Sequence, residues 1–115
     1  MLLREAIAKL SEWPKEATLF AERISGEFRP ESEAAVIELS EDEIQRPIHE
    51  VAAAHAPGKE YFLEVFVARE VLDGWHYNHQ GQDPTLEQSL ESIIYYAEND
   101  AYPESFFNTN PEGTK

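Results

Sequence analysis

Apolar residues recur along this chain with two different periods, and the points where the period changes mark its elements. Leu3, Ile7 and Leu10 are spaced for one face of a helix over residues 2–12, with Arg4, Glu5, Lys9 and Glu12 between them. Trp13-Pro14 closes that helix, because the residue before a proline is pushed out of the helical region. Residues 17–24 and 34–39 carry compact runs that predict two strands. Ser25-Gly26 and the segment up to Glu33 connect them, with Glu27, Phe28 and Arg29 able to extend either one. A lone hairpin is marginal in water, so this pair requires a helical layer over it. Ser40-Glu41-Asp42-Glu43 has the form of a helix capping box, Pro47 forces a turn soon after, and a short helix is predicted over 48–55, ended by Pro57-Gly58.

Residues 60–79 admit two readings. The run from Tyr61 to Val67 would pass for a buried strand, but a helix accounts for more of the pattern. Tyr61, Val65, Ala68, Leu72 and Trp75 fall on one face at helical period, Val67 and Val71 widen that face, and Phe62 and Phe66 lie off its other side. The spacing therefore predicts a central, buried helix, in which Gly74 costs about 1 kcal/mol relative to alanine. Gly81 ends it. Asp83-Pro84-Thr85 opens the next helix, Thr85 with Gln88 forms a second capping box, and Leu86, Leu90, Ile93, Ala97 and Ala101 make an apolar stripe that runs until Pro103. Phe106 and Phe107 are expected to pin the base of a mobile tail, 108–115. The predicted fold is α+β, one globular domain over 1–107: an N-terminal helix, a two-strand hairpin or small antiparallel sheet, a short helix, and two long C-terminal helices packed together.

Length and composition fit that outline. A chain of 115 residues with 42% hydrophobic residues is of single-domain size and apolar enough to bury a core. No cysteine is present, which excludes disulfides, thiolate zinc sites and a cysteine nucleophile. Charges at Arg4 and Glu5 stand where a signal peptide needs an apolar run, so a cytoplasmic location is expected.

Charge changes the picture more. Nine Lys and Arg stand against 23 Asp and Glu, for a net charge of −14. Between Arg69 and Lys115 there is no Lys or Arg at all, although that stretch holds Glu70, Asp73, Asp83, Glu87, Glu91, Glu98, Asp100, Glu104 and Glu112. Such a field repels nucleic acid and anionic membranes and steers basic partners inward.

The last helix concentrates this charge. Glu87, Glu91 and Glu98 fall within roughly 40° of one another on a helical wheel, flanked by Tyr95 and Tyr102. Like charges one turn apart cost a few tenths of a kcal/mol, a cost that a docking face for a basic partner would explain. The plainer account is a wet helix face with two half-buried tyrosines. A second acidic set, Glu38, Glu41, Asp42 and Glu43, is explained more simply by helix capping. His76 and His79, three residues apart with Asp83 four further on, could share a metal, but a structural histidine is the simpler reading. No glycine-rich phosphate loop, no G-x-S-x-G elbow and no basic patch interleaved with aromatics is present, so no catalytic residue and no cofactor is assigned.

The C-terminal half, through Glu60-Tyr61-Phe62-Leu63, Val71-Leu72-Asp73, Asn78 with Gln80 or Gln82, Thr85-Leu86 and above all Tyr95-Tyr96-Ala97-Glu98-Asn99-Asp100-Ala101-Tyr102, resembles a bacterial domain family of unknown function made up of small acidic proteins. The resemblance implies a leading helix, two short strands and two long helices, and implies no activity. Gly74-Trp75-His76-Tyr77 is bulkier than the family's pattern. Within the closing motif, Asn99 and Asp100 are expected to bond local backbone as the helix ends.

Taken together these features point to a non-enzymatic binding protein. The leading expectation is an immunity or inhibitor protein that neutralises a basic toxin domain, for example a nuclease, with Glu87, Glu91, Tyr95, Glu98 and Tyr102 as the contact residues. The alternatives are a metal-binding or enzymatic module around His76, His79 and Asp83, and a homodimer with Trp13, Trp75 or the tyrosines at its interface.

Overall fold

A computed structural model describes residues 1–107 of the chain; the expected tail, 108–115, lies outside the described residues. The elements run α1 (Leu3–Ala8), a 3-10 turn (Leu10–Glu12), β1 (Thr18–Ala21), β2 (Ala34–Ile37), α2 (Glu41–Ile44), α3 (Ile48–His55), β3 (Glu60–Glu64), α4 (Val65–Asn78), α5 (Leu86–Asn99) and a closing 3-10 turn (Glu104–Phe107). The protein is α+β, with α4 and α5 packed together as expected.

The three strands form an antiparallel sheet in the order β2-β1-β3. β1 is buried along its whole length, so its side chains alternate between two covered faces. Leu19 and Ala21 join the larger core with α1, α4 and α5, while Phe20 joins a smaller core with Val51, Ala52 and Ala56 around α3. β2 obeys the same alternation, with Ala34 and Val36 on the first side and Ala35 and Ile37 on the second.

The helix expected over 60–79 is corrected at its start: residues 60–64 are strand β3, and the helix begins only at Val65. The physical reason lies in β1. A fully buried central strand must pair its backbone on both edges, and β2 supplies only one. β3 supplies the other, pairing Thr18 with Glu64 and Leu19 with Leu63, with a bulge between Leu19 and Phe20. The chain then passes from strand to helix without a loop: Glu64 keeps extended dihedrals, and the Val65 amide donates to the Ala17 carbonyl at 2.9 Å. From Val65 onward the predicted stripe holds, with Val65, Ala68, Val71 and Trp75 buried. The helix expected over 2–12 is split, Lys9 leaving helical geometry between α1 and the 3-10 turn.

Both capping boxes form. Ser40 Oγ accepts the Glu43 amide at 3.1 Å and Glu43 Oε1 accepts the Ser40 amide at 2.9 Å; Thr85 Oγ1 and Gln88 Oε1 repeat the exchange at 3.1 and 2.9 Å. α5 ends at Asp100, whose left-handed conformation (φ 53°) turns the chain while its amide donates to the Tyr96 carbonyl at 2.8 Å and Asn99 Nδ2 donates to the Tyr95 carbonyl at 3.0 Å. No helix among the described residues is long and apolar enough to cross a membrane.

Candidate functional site: a groove between the last helix and the hairpin connection

The connection between β1 and β2 folds back against α5 and leaves a groove of about 690 Å³. Its first wall, residues 27–31, is fixed by backbone. Ser25 and Gly26 take positive φ (55° and 84°) at the tip of a tight turn, closed by the Ile24 amide donating to the Glu27 carbonyl at 2.7 Å. Further on, the Arg4 and Leu3 amides donate to the Pro30 and Ser32 carbonyls at 2.9 and 2.7 Å, tying this wall to the start of α1. The Phe28 ring stands edge-on to Phe62 in the core, ring centroids 5.0 Å apart.

The second wall is α5. Leu90 and Ile94 line the groove with Phe28 and Pro30, and Glu87, Glu91, Tyr95 and Glu98 line it along the helix. Four of the five residues singled out by helical periodicity therefore share one groove. Tyr102 does not. It follows the left-handed turn at Asp100 and stacks on Phe106, ring centroids 3.9 Å apart and nearly parallel, with Tyr96 at 5.2 Å. Burial pushes its phenol up from the ordinary tyrosine value.

A further correction concerns charge. Two of the three α5 carboxylates, Glu87 and Glu98, which no neighbouring Lys or Arg answers in sequence, are answered in space by arginines from the first quarter of the chain. Arg4 Nη1 donates to Glu87 Oε2 at 2.6 Å. Arg23 Nη1 donates to Glu98 Oε1 at 2.9 Å, while its Nε donates to Glu60 Oε1 at 3.1 Å. Glu98 Oε2 also accepts the Phe28 amide at 2.8 Å, so this carboxylate staples the hairpin connection to α5. Glu91 forms no ion pair among the described residues.

The Glu98 staple has a pH signature. Burial pushes Glu98 up, but the Arg23 guanidinium and the Phe28 amide together outweigh it and hold the carboxyl below the ordinary glutamate value. A group held below its unfolded value stabilises the fold above that unfolded value, and the contribution disappears as pH falls through the lowered one. The Phe28 amide resonance should therefore titrate below the ordinary glutamate value, and Glu98→Gln should abolish that titration. A Phe28 resonance indifferent to acid would mean that Glu98 does not hold the wall.

Several of the other sequence candidates are engaged within the fold itself. In the second acidic set, Asp42 pairs with Arg46 at 3.0 Å, and the Ser40 amide, then His55, push Glu43 down to about 2. His76 Nδ1 and Asp83 Oδ1 meet at 3.1 Å. His79 turns elsewhere, its ring stacked on Trp75 at 3.6 Å and its two nitrogens facing the carbonyls of Trp75 (2.8 Å) and Ser105 (3.1 Å). The two histidines thus do not converge, and among the described residues no group of three or more metal-ligating side chains forms.

Sequence periodicity missed the opposite wall, Glu27 to Glu31, because those residues lie far from α5 in the chain and belong to no regular element. The available signal was Phe28 and Pro30, apolar residues in an otherwise polar connection. No protein-family model, curated protein or solved structure matches the chain.

Proposed function

We propose that this protein binds a basic protein partner, and that the groove between α5 and residues 27–31 is its docking face. The observation that carries this reading is the groove's make-up: an apolar floor of Leu90, Ile94 and Phe28, with Glu91 on the helix side and Glu27 and Glu31 on the other. Apolar floors supply binding energy and acidic rims supply orientation and selectivity for cations. A net charge of −14 adds long-range steering toward a positive surface. Neutralisation of a basic toxin, such as a nuclease, is the biological role that fits this size and charge best. The partner's cations then compete with Arg4 and Arg23 for Glu87 and Glu98, while Glu91, Glu27 and Glu31, in no ion pair among the described residues, are open to them at once.

The test is kinetic. With a basic protein recovered by low-salt pulldown, Glu91→Lys is expected to slow association about tenfold at low ionic strength and much less at high. Glu41→Lys, which makes the same change in net charge on the exposed first turn of α2, serves as the control. Equal association rates for the two variants at low salt would remove the groove from consideration.

A further inference from the structure

Among the described residues Arg23 occupies an arginine seat built from a carboxylate and an aromatic face. The Arg23 guanidinium carbon lies 4.1 Å from the centroid of the Phe28 ring while Nη1 bonds Glu98. Neither half of the seat is free to drift. Glu98 is fixed by the Phe28 amide and Phe28 by its packing on Phe62. A guanidinium suits such a seat better than an ammonium, because its flat face stacks on a ring while its edge presents a fork of donors to the carboxylate.

Glu91 and Tyr95 offer the same two groups again, on the same groove. They are four residues apart on α5, so their side chains leave the helix as neighbours. Tyr95 is 42% exposed and lines the groove, so its ring is open to an incoming side chain. Arg29, on the opposite wall, makes no ion pair with Glu91. We infer that the Glu91–Tyr95 pair is an arginine-reading position: an arginine side chain of the basic protein partner lies over the Tyr95 ring and bonds Glu91. This rests on the groove being the docking face, and adds to it a preference for arginine over lysine.

Two peptides of equal length and charge, nona-arginine and nona-lysine, separate the possibilities. Titrated into the full chain, nona-arginine is expected to bind about tenfold tighter than nona-lysine and to shift the backbone amides of Leu90, Ile94 and Glu98. Arginine also pairs better with any exposed carboxylate, so the informative quantity is the change in that ratio. Tyr95→Leu should bring it down about fivefold, whereas Tyr77→Leu, which removes a ring 84% exposed on α4, should leave it intact. Groove amides that shift equally with both peptides, at equal affinity, would overturn the arginine preference and leave the docking face standing. A ratio that survives Tyr95→Leu, or falls as far in Tyr77→Leu, would do the same. Groove amides that move with neither peptide would overturn both.

Discussion

Replacing Arg69 with methionine is expected to cost the fold about 3 kcal/mol, the sum of several charge-assisted hydrogen bonds to one guanidinium. Arg69 sits on α4 and reaches across to the end of the N-terminal helical segment. Its Nε and Nη2 donate to the Leu10 carbonyl at 3.3 and 3.2 Å, and Nη2 also meets the carbonyls of Ser11 (3.2 Å) and Trp13. The Ser11 and Trp13 carbonyls stand at the C-terminal end of that segment, the Leu10 carbonyl also accepts the Trp13 amide at 3.4 Å, and together they form its negative pole, which a cation complements. Methionine keeps the apolar stem and its packing but removes every donor, so the loss measures the fork and not the volume. Urea unfolding should show a lower midpoint with an unchanged slope, and Arg69→Lys should recover about half the loss, since an ammonium reaches fewer of the carbonyls at once. A methionine variant within about 0.5 kcal/mol of the parent would mean that water satisfies those carbonyls equally well. The consequence reaches the groove, because α1 carries both Arg4, paired with Glu87, and the amides that hold residues 30 and 32.

What the sequence made legible was local. Capping boxes at Ser40 and Thr85, the apolar stripe of α5 and the helix over 48–55 each rest on residues within a few positions of one another, and each forms, except that the stripe stops at Ala97: the helix ends at Asn99 and Ala101 lies exposed beyond it. β3 was legible only as the lesser of two readings, since Glu60 to Glu64 joins α4 with no glycine or proline to punctuate the change of period. Only the need of β1 for a second partner decides it, and that is a property of the sheet. The site divides in the same way. Periodicity placed Glu87, Glu91, Tyr95 and Glu98 on one helix face, and they line one groove. It also placed Tyr102 there, because a helical wheel cannot see the left-handed turn at Asp100. The opposite wall and the arginines that answer Glu87 and Glu98 come from 70 to 83 residues away, a distance no local pattern spans.

Gly74 shows the same limit and carries the second large effect. As a glycine inside a helix it costs α4 about 1 kcal/mol relative to alanine, and nothing near it in sequence explains why it is there. The reason arrives from the closing 3-10 turn: a β-carbon at Gly74 would fall 2.8 Å from Phe106 Cζ. Phe106 cannot easily withdraw, being 3% exposed, stacked on Tyr102 and edge-on to Phe107 at 5.1 Å. Phe106→Ala should therefore cost about 3–4 kcal/mol, the loss of a buried ring and the hollow it leaves. Gly74→Ala in the parent should lose about 1–2 kcal/mol net, its gain in helix propensity outweighed by overpacking. The sign should reverse once the ring is gone. With Phe106 already alanine, Gly74→Ala should stabilise the protein by up to about 1 kcal/mol, a coupling that a double-mutant cycle in urea reads directly. If Gly74→Ala stabilises the parent as well, the closing turn gives way without loss, and Phe106 is no true part of the core that α4 and α5 share.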